Sequence, residues 1–410
     1  MRAFAEVVRL ELKALVRSKT VLFLLVASVA WTLALPSLMR GDGTPDGARE
    51  LYVHFSLGGV FALLVVSLLA SATGSIARER AERRLQLTLV RPVRYAALIL
   101  GKALAHVAVG AFVLAASAGV LAARVDLSRP CSHVVDPVLP PLSEAVAKLY
   151  DECMADTNTP AFVREAPRAT VMRMLTAREL DRYEPVAANS SARWRFPSAG
   201  DAMRVRFSGA FSMRPQVFGE FVSGESSCVA SNVTRMVADF PLAVADGAEV
   251  VFENRGASAV MLRPRRDVHL LRRADAFGWN LLRACAVLAS VLSLVVSFGL
   301  FLGACLGRPV ALFVAFVVLV VGEMSPSVIE QYPDELETDA ADRIGLAISR
   351  TAAAATHPLT ADSPLEDLSR DVCVEPGRVW RLALANLVVA PLAFALLGAF
   401  LIPRKQDDLS

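Results

Sequence analysis

The chain is expected to fold as an α-helical integral membrane protein with six transmembrane helices and an α+β extracytoplasmic domain inserted between the third and fourth spans. Three features point there. Six apolar stretches lack charge through their middles, and each approaches the ~20 helical residues needed to cross a hydrocarbon layer of roughly 30 Å. Hydrophobic residues fill 54% of the 410 positions and mean hydropathy is +0.47, high for a globular chain, while ordinary Gly and Pro usage argues against fibrous or disordered classes. A long polar stretch, Arg124 to Asp275, separates the third apolar run from the fourth and is large enough to bury a core of its own.

The spans read as Thr20 to Leu38, Leu51 to Ala72, Leu98 to Ala122, Asn280 to Leu306, Val310 to Met324 and Val379 to Ile402. The first is expected to remain as a permanent helix, because it has full spanning length and no A-x-A-like exit that would mark a cleaved leader. Orientation follows from Arg and Lys, which are retained on the cytoplasmic side. Arg2, Arg9, Lys13, Arg17 and Lys19 precede the first span; Arg78, Arg80, Arg83, Arg84, Arg91 and Arg94 separate the second from the third; Arg404 and Lys405 follow the last. All fall on one side, so both termini are expected in the cytoplasm and the large domain outside. The cluster Arg263, Arg265, Arg266, Arg272 and Arg273 runs against this, but long domains translocate largely regardless of charge.

Before the first span, FAEVVRLELKALVRSK sets Phe4, Val7, Val8, Leu10, Leu12, Leu15 and Val16 on one helical flank, with Glu6, Arg9, Glu11, Lys13 and Arg17 largely opposite. That pattern predicts an interfacial helix lying on the inner surface, or a plain cytoplasmic lead-in. The net charge of +3 is small and spread along membrane edges, which argues for contact with membrane lipids and against a nucleic-acid partner.

The segment between the second and third spans, SATGSIARERAERRLQLTLVRPVRYAALILGK, carries the most specific signal. Glu79 and Arg83 stand four apart and can pair on a helix, and Pro92 then breaks it. A short charged elbow results, able to pass a push into two membrane helices as rigid-body motion; an ordinary positive-inside loop is the alternative. Ile76, Glu79, Arg80, Leu85, Leu87, Leu89, Arg91, Pro92, Val93, Gly101 and Lys102 together resemble permease subunits of type-2 ABC exporters. That family carries an IxxERxxG-like charged turn, a leucine run, an RPV tripeptide and a GK opening the third span. The chain departs from the pattern at Arg83, Arg84, Leu85 and Gln86.

The resemblance covers the spans and not the insertion. It implies a permease subunit in a bacterial inner (cytoplasmic) membrane that pairs with a second permease, as homo- or heterodimer, and is driven by separate ABC ATPase subunits. Arg78, Glu79, Arg80, Glu82, Arg83, Arg91 and Pro92 would then receive the ATPase stroke. ATP and Mg would belong to the partner, since no G-x-x-x-x-G-K-[ST] occurs and Gly101-Lys102 follows an apolar run rather than a glycine-rich phosphate cradle. A lipid- or lipopolysaccharide-extracting ABC permease and a non-transporting, membrane-anchored binding or scaffold protein are the alternatives.

Domain bounds are expected at 1–123, with a coupling loop at 75–95; at 124–275; and at 276–410, with an outer loop at 325–378 that either caps the mouth or is a solvated connector. In the insertion, Leu142 to Met154 and Ala169 to Tyr183 have helical spacing. Trp194, Phe196, Met203, Val205, Phe207, Val250 and Phe252 alternate as on the strands of a small β-sandwich, where such aromatics face a core more often than a ligand. Cys131, Cys153, Cys228 and Cys373 are candidate disulfide cysteines on the outer side, with three pairings open and Cys131 with Cys153 closing the shortest loop. Cys285 and Cys305 read as packing residues. His133 and His269 lack ligand spacing to these thiols, so no metal site is expected, and no catalytic motif is found. His54 and His106 border or occupy spans, as packing groups or as parts of an ion pathway. Lys102, Arg283 and Glu323 lie near span ends and are expected to snorkel, and Asn386 is expected to bond between helices.

Overall fold

The computed structural model describes residues 2–39, 44–81, 95–156, 159–207, 217–231, 237–331, 347 and 364–407. The chain forms two compact units, one containing Met1–Arg129 and Ala276–Ile329 together with the C-terminal stretch and a second containing Pro130–Asp275. The first is helical and the second rich in sheet.

The helical unit begins with α1 (Arg2–Arg17), α2 (Thr20–Leu38), α3 (Pro45–Ala81) and α4 (Tyr95–Ala122). Among the described residues, five helices are long and apolar enough to cross a membrane: Thr20–Leu38, Pro45–Glu79, Tyr95–Ala122, Phe277–Cys305 and Pro376–Leu401. The fifth span read from the sequence, Val310 to Met324, falls within a helix at Arg308–Gln331, whose shorter apolar portion among the described residues is Arg308–Val321. Among the described residues, then, five of the six expected spans are helices of spanning length and composition, and the fifth expected span, Val310 to Met324, lies in a helix of 24 residues.

In the sequence, the sheet-rich unit is inserted between the two parts of the helical unit. Its elements are β1 (Pro130–Val135), α5 (Leu142–Ala155), α6 (Ala161–Arg164), α7 (Arg168–Leu180), β2 (Glu184–Val186), β3 (Ser191–Arg195), β4 (Gly200–Arg206), β5 (Gly219–Ser223), β6 (Ser226–Ala230), β7 (Val237–Val244), β8 (Glu249–Asn254), β9 (Val260–Leu262) and β10 (Val268–Ala276). Two four-stranded sheets form, in the orders β1-β10-β4-β7 and β3-β8-β5-β6, and β2 pairs with β9. Trp194, Phe196, Met203, Val205, Phe207, Val250 and Phe252 are all buried in one core that draws on both sheets. Phe221 on β5 meets Phe240 on β7 at 4.9 Å between centroids and Phe252 on β8 at 4.7 Å, so aromatic contacts join the sheets. Period-two alternation put these residues on one face, and burial followed.

The helical unit resumes with α8 (Phe277–Cys305), α9 (Arg308–Gln331), α10 (Leu365–Ser369), α11 (Pro376–Ala383), a π-helical turn (Leu384–Val389) and α12 (Ala390–Asp407). Helix α8 is its axis and packs on α3, α4, α11 and α12. Small residues permit the approach. A Cβ on Gly299 would lie 2.9 Å from Leu69 Cδ1, and one on Gly303 would lie 2.3 Å from the Thr73 carbonyl oxygen of α3. This Gly-x-x-x-Gly spacing presents one bare stripe to a neighbouring helix. Asn280 at the start of α8 donates to the Val372 carbonyl at 2.7 Å and accepts from the Val374 amide at 2.7 Å, tying down the chain before α11. The π-turn interrupts the last span, and within it Asn386 Nδ2 approaches Ser290 Oγ of α8 at 3.5 Å.

At the end of the bundle where α2 stops and α3 starts, Asp371 collects two arginines. Arg49 grips it with two bonds of 2.6 and 2.7 Å, and Arg129 Nε approaches at 3.0 Å. Asp371 is left-handed at φ 57° and lets Val372 N–H reach back to the Asp367 carbonyl at 2.8 Å, closing α10. Asp tolerates that conformation and supplies the carboxylate that Gly would lack.

Of the cysteine pairings left open by the sequence, one is present. Cys131 is disulfide-bonded to Cys373, whereas Cys153 and Cys228 are free thiols. The shortest-loop pair is absent because Cys153 lies on α5 with its Sγ 3.8 Å from the Thr159 hydroxyl, while Cys131 lies on β1.

Gly303→Ala is expected to force α8 from α3, since the obstructing atom is backbone, and to lower the thermal midpoint of the purified protein in detergent. Gly307→Ala, with nothing within 4 Å of its added Cβ, should leave it unchanged.

Candidate functional site: a buried ionic latch

Helix α1 carries one stripe that faces its neighbours. Phe4, Val7, Val8, Glu11, Leu12 and Leu15 are partly or fully buried at spacings of three and four, and the helix packs on α4 and α2. Two residues assigned to the apolar flank, Leu10 and Val16, are instead 62% and 61% exposed, and Glu11 stands inside the stripe. A partner within the protein for Glu11 moves the buried face by part of a turn. The stripe ends where Ser18 donates to the Leu15 carbonyl at 2.7 Å and Lys19 turns left-handed at φ 58° to start α2.

Gly101 and Lys102 on α4 receive α1. A Cβ on Gly101 would meet Val7 Cγ1 at 2.8 Å, so a glycine is what allows the helices to close. One turn further along α1, Glu11 meets Lys102. Lys102 is 2% exposed, and its ammonium donates to Glu11 Oε2 at 2.6 Å, Glu79 Oε1 at 2.8 Å and Ser75 Oγ at 2.9 Å. All three ammonium protons therefore have acceptors. Lys102 was expected to snorkel; it turns inward because two carboxylates and a hydroxyl replace the water it would otherwise seek. Ser75 closes the ring by donating to Glu11 Oε1 at 2.8 Å.

The network continues along the same helical faces. Ser71, Ser75 and Glu79 are spaced by four on α3, and Lys102 and His106 by four on α4. His106 Nδ1 lies 2.9 Å from the Lys102 carbonyl, which only accepts, so Nδ1 carries a proton and donates it there, and Nε2 is hydrogen-bonded with Ser71 Oγ at 3.1 Å. Burial opposes the charge on Glu11, but the Lys102 ammonium, its hydrogen bond and that of Ser75 outweigh it and hold the Glu11 carboxyl below its usual range. Three helices thus converge on one cation with two carboxylates around it.

Of the residues assigned to ATPase coupling, Arg78 is exposed on α3, Glu79 belongs to this latch, and Arg80 lies in the same helix. Glu82, Arg83, Arg91 and Pro92 lie outside the described residues, as does the pairing of Glu79 with Arg83. Among the described residues Glu79 pairs with Lys102, and its Oε2 is buried without a hydrogen bond. Sequence reasoning missed Glu11, Ser71, Ser75 and the role of Lys102. The available signal was a carboxylate at the spacing of the apolar stripe in α1. Arg308, at the start of α9, passes 3.1 Å from where a Cβ on Gly74 would sit, so a further cation borders the same stretch of α3.

No group of three or more His, Cys, Asp or Glu side chains among the described residues is arranged to hold a metal. The sheet-rich unit has a cavity of about 1040 Å³ beside α5 and α7, lined by charges of both signs that include Glu144, Lys148, Arg178 and Asp181. Compared with known proteins, the chain matches no described family, no curated protein and no solved structure.

Lys102→Met is expected to strand two carboxylates and to cost about 3–5 kcal/mol, as loss of one partner of a buried pair does, read as a lowered thermal midpoint. Because the Glu11 carboxyl is lowered from 4.5, its contribution is fully present above that ordinary value and fades as pH falls through its value in the folded protein. Midpoints should therefore be flat from neutral pH down to about 5 and drop below about 4, and Glu11→Gln should flatten that drop.

Proposed function

We propose that this chain is the transmembrane permease subunit of an ATP-driven ABC exporter, coupling hydrolysis by a separate ATPase subunit to export of a substrate. The observation that carries the reading is the Glu11–Lys102–Glu79 latch, which joins α1, α3 and α4 immediately beside the segment between Ala81 and Tyr95. A push delivered to that segment by an ATPase would enter both flanking helices at their roots, and the latch would make α1 move with them. On this reading the membrane is the bacterial inner membrane, both termini are cytoplasmic, the sheet-rich unit is extracytoplasmic, and a second permease completes the pathway. Cys131 and Cys373, as disulfide partners, support an oxidising location for that side of the chain. The separate sheet-rich unit following α4 favours, as a second reading, a permease that extracts lipid or lipopolysaccharide.

Isolation in mild detergent is expected to recover a nucleotide-hydrolysing subunit, and Glu79→Ala with Arg80→Ala is expected to lower its ATPase activity about tenfold or more while both proteins stay in the membrane. Recovery of the chain alone, from a host expressing its native ATPases, would instead favour a membrane-anchored scaffold.

A further inference from the structure

At the opposite end of the helical unit from the latch lies a cavity of about 630 Å³, bounded by the last turn of α2, the first turns of α3 and the chain just after α4. Its chemistry is divided. Leu35, Pro36, Leu51 and Val125 supply apolar wall, whereas Arg49, Arg124 and Arg129 supply cations. Arg49 and Arg129 are held in place by Asp371, and Arg129 is also paired with Asp46 at 2.8 Å, so the cation left to a ligand is Arg124. Arg124, exposed at the end of α4, has no carboxylate within ion-pair distance among the described residues. Asp126, the acid of the lining, accepts from the Ser128 amide at 2.9 Å and the Ser128 hydroxyl at 2.7 Å and is thereby turned to its own loop.

We infer that this cavity binds one anionic phospholipid. Guanidinium groups bind phosphate through a planar fork, and here that fork stands over an apolar wall at the end of membrane-length helices, where a headgroup meets its acyl chains. Free phosphate would satisfy the arginine but leave the leucine and valine wall uncovered. Phosphatidylcholine would fill the wall but place a choline cation beside Arg124, which no carboxylate among the described residues offsets. The inference goes beyond the exporter reading and does not rest on it, because a transporting and a non-transporting membrane protein would hold the lipid alike.

The test is native mass spectrometry of the purified full chain, given equal amounts of phosphatidylglycerol and phosphatidylcholine with the same acyl chains. Phosphatidylglycerol is expected to be retained over phosphatidylcholine by about tenfold at one position. Arg124→Gln should abolish that preference, Arg124→Lys should keep most of it, and Ala48→Trp, which fills the cavity from an exposed position without changing charge, should remove one bound lipid. Both sites of substitution are exposed, so the thermal midpoint without lipid should not change. Equal retention of the two lipids, an effect of Arg124→Gln without one of Ala48→Trp, or displacement of the lipid by millimolar inorganic phosphate would overturn the assignment.

Discussion

One ammonium group, 2% exposed and shared by two carboxylates, sets the geometry of the end of the bundle where α1 docks. A charge taken out of water must find partners or stay uncompensated at a cost of several kcal/mol. Lys102 finds them on two different helices, so α1, α3 and α4 cannot separate there without exposing charge to an apolar neighbourhood. Val8, Leu12 and Leu15 add apolar contact with Ala105 and Val109, but such contact is not directional. The ion pair to Glu11 is directional and fixes where α1 lies along α4. Gly101 serves the same end by removing the side chain that would hold Val7 away.

The opposite end follows a related scheme with a different centre. There a carboxylate, Asp371, is shared by two arginines, and its left-handed backbone closes α10 so that Asn280 of α8 can hold the following strand of chain. Between these ends the bundle depends on shape more than charge, with Gly299 and Gly303 letting α8 lie directly on α3. Rigid contact along that line, with an ionic joint at each end, is the construction expected of helices that move as a body. The π-turn at Leu384–Val389 is the local exception and marks where the last span departs from a straight rod.

Much of this was legible in the sequence because it depends on local pattern. Charge-free runs located α2, α3, α4, α8 and the last span, and period-two alternation located the strands carrying Trp194, Met203 and Phe252. What escaped depends on contacts between distant residues. Glu11 read as surface because its partner lies on α4, and Lys102 read as a snorkelling side chain because nothing near it in the chain names Glu79 as an acceptor. Cys131 could not be matched to Cys373 from spacing, since loop length favours a nearby thiol and the fold decides otherwise. Gly101, Gly299 and Gly303 likewise are explained only by which helix comes to rest on them.

The central claim is that Lys102 and Glu11 act as one unit. A double-mutant cycle in thermal unfolding of the purified protein, comparing Glu11→Gln, Lys102→Met and the pair, tests it most directly. The account expects strong coupling, with Glu11→Gln costing little once Lys102 is gone and the double variant more stable than the sum of the two losses. Simple additivity of the single losses would mean that the buried ammonium and the α1 carboxylate do not depend on one another, and would contradict it.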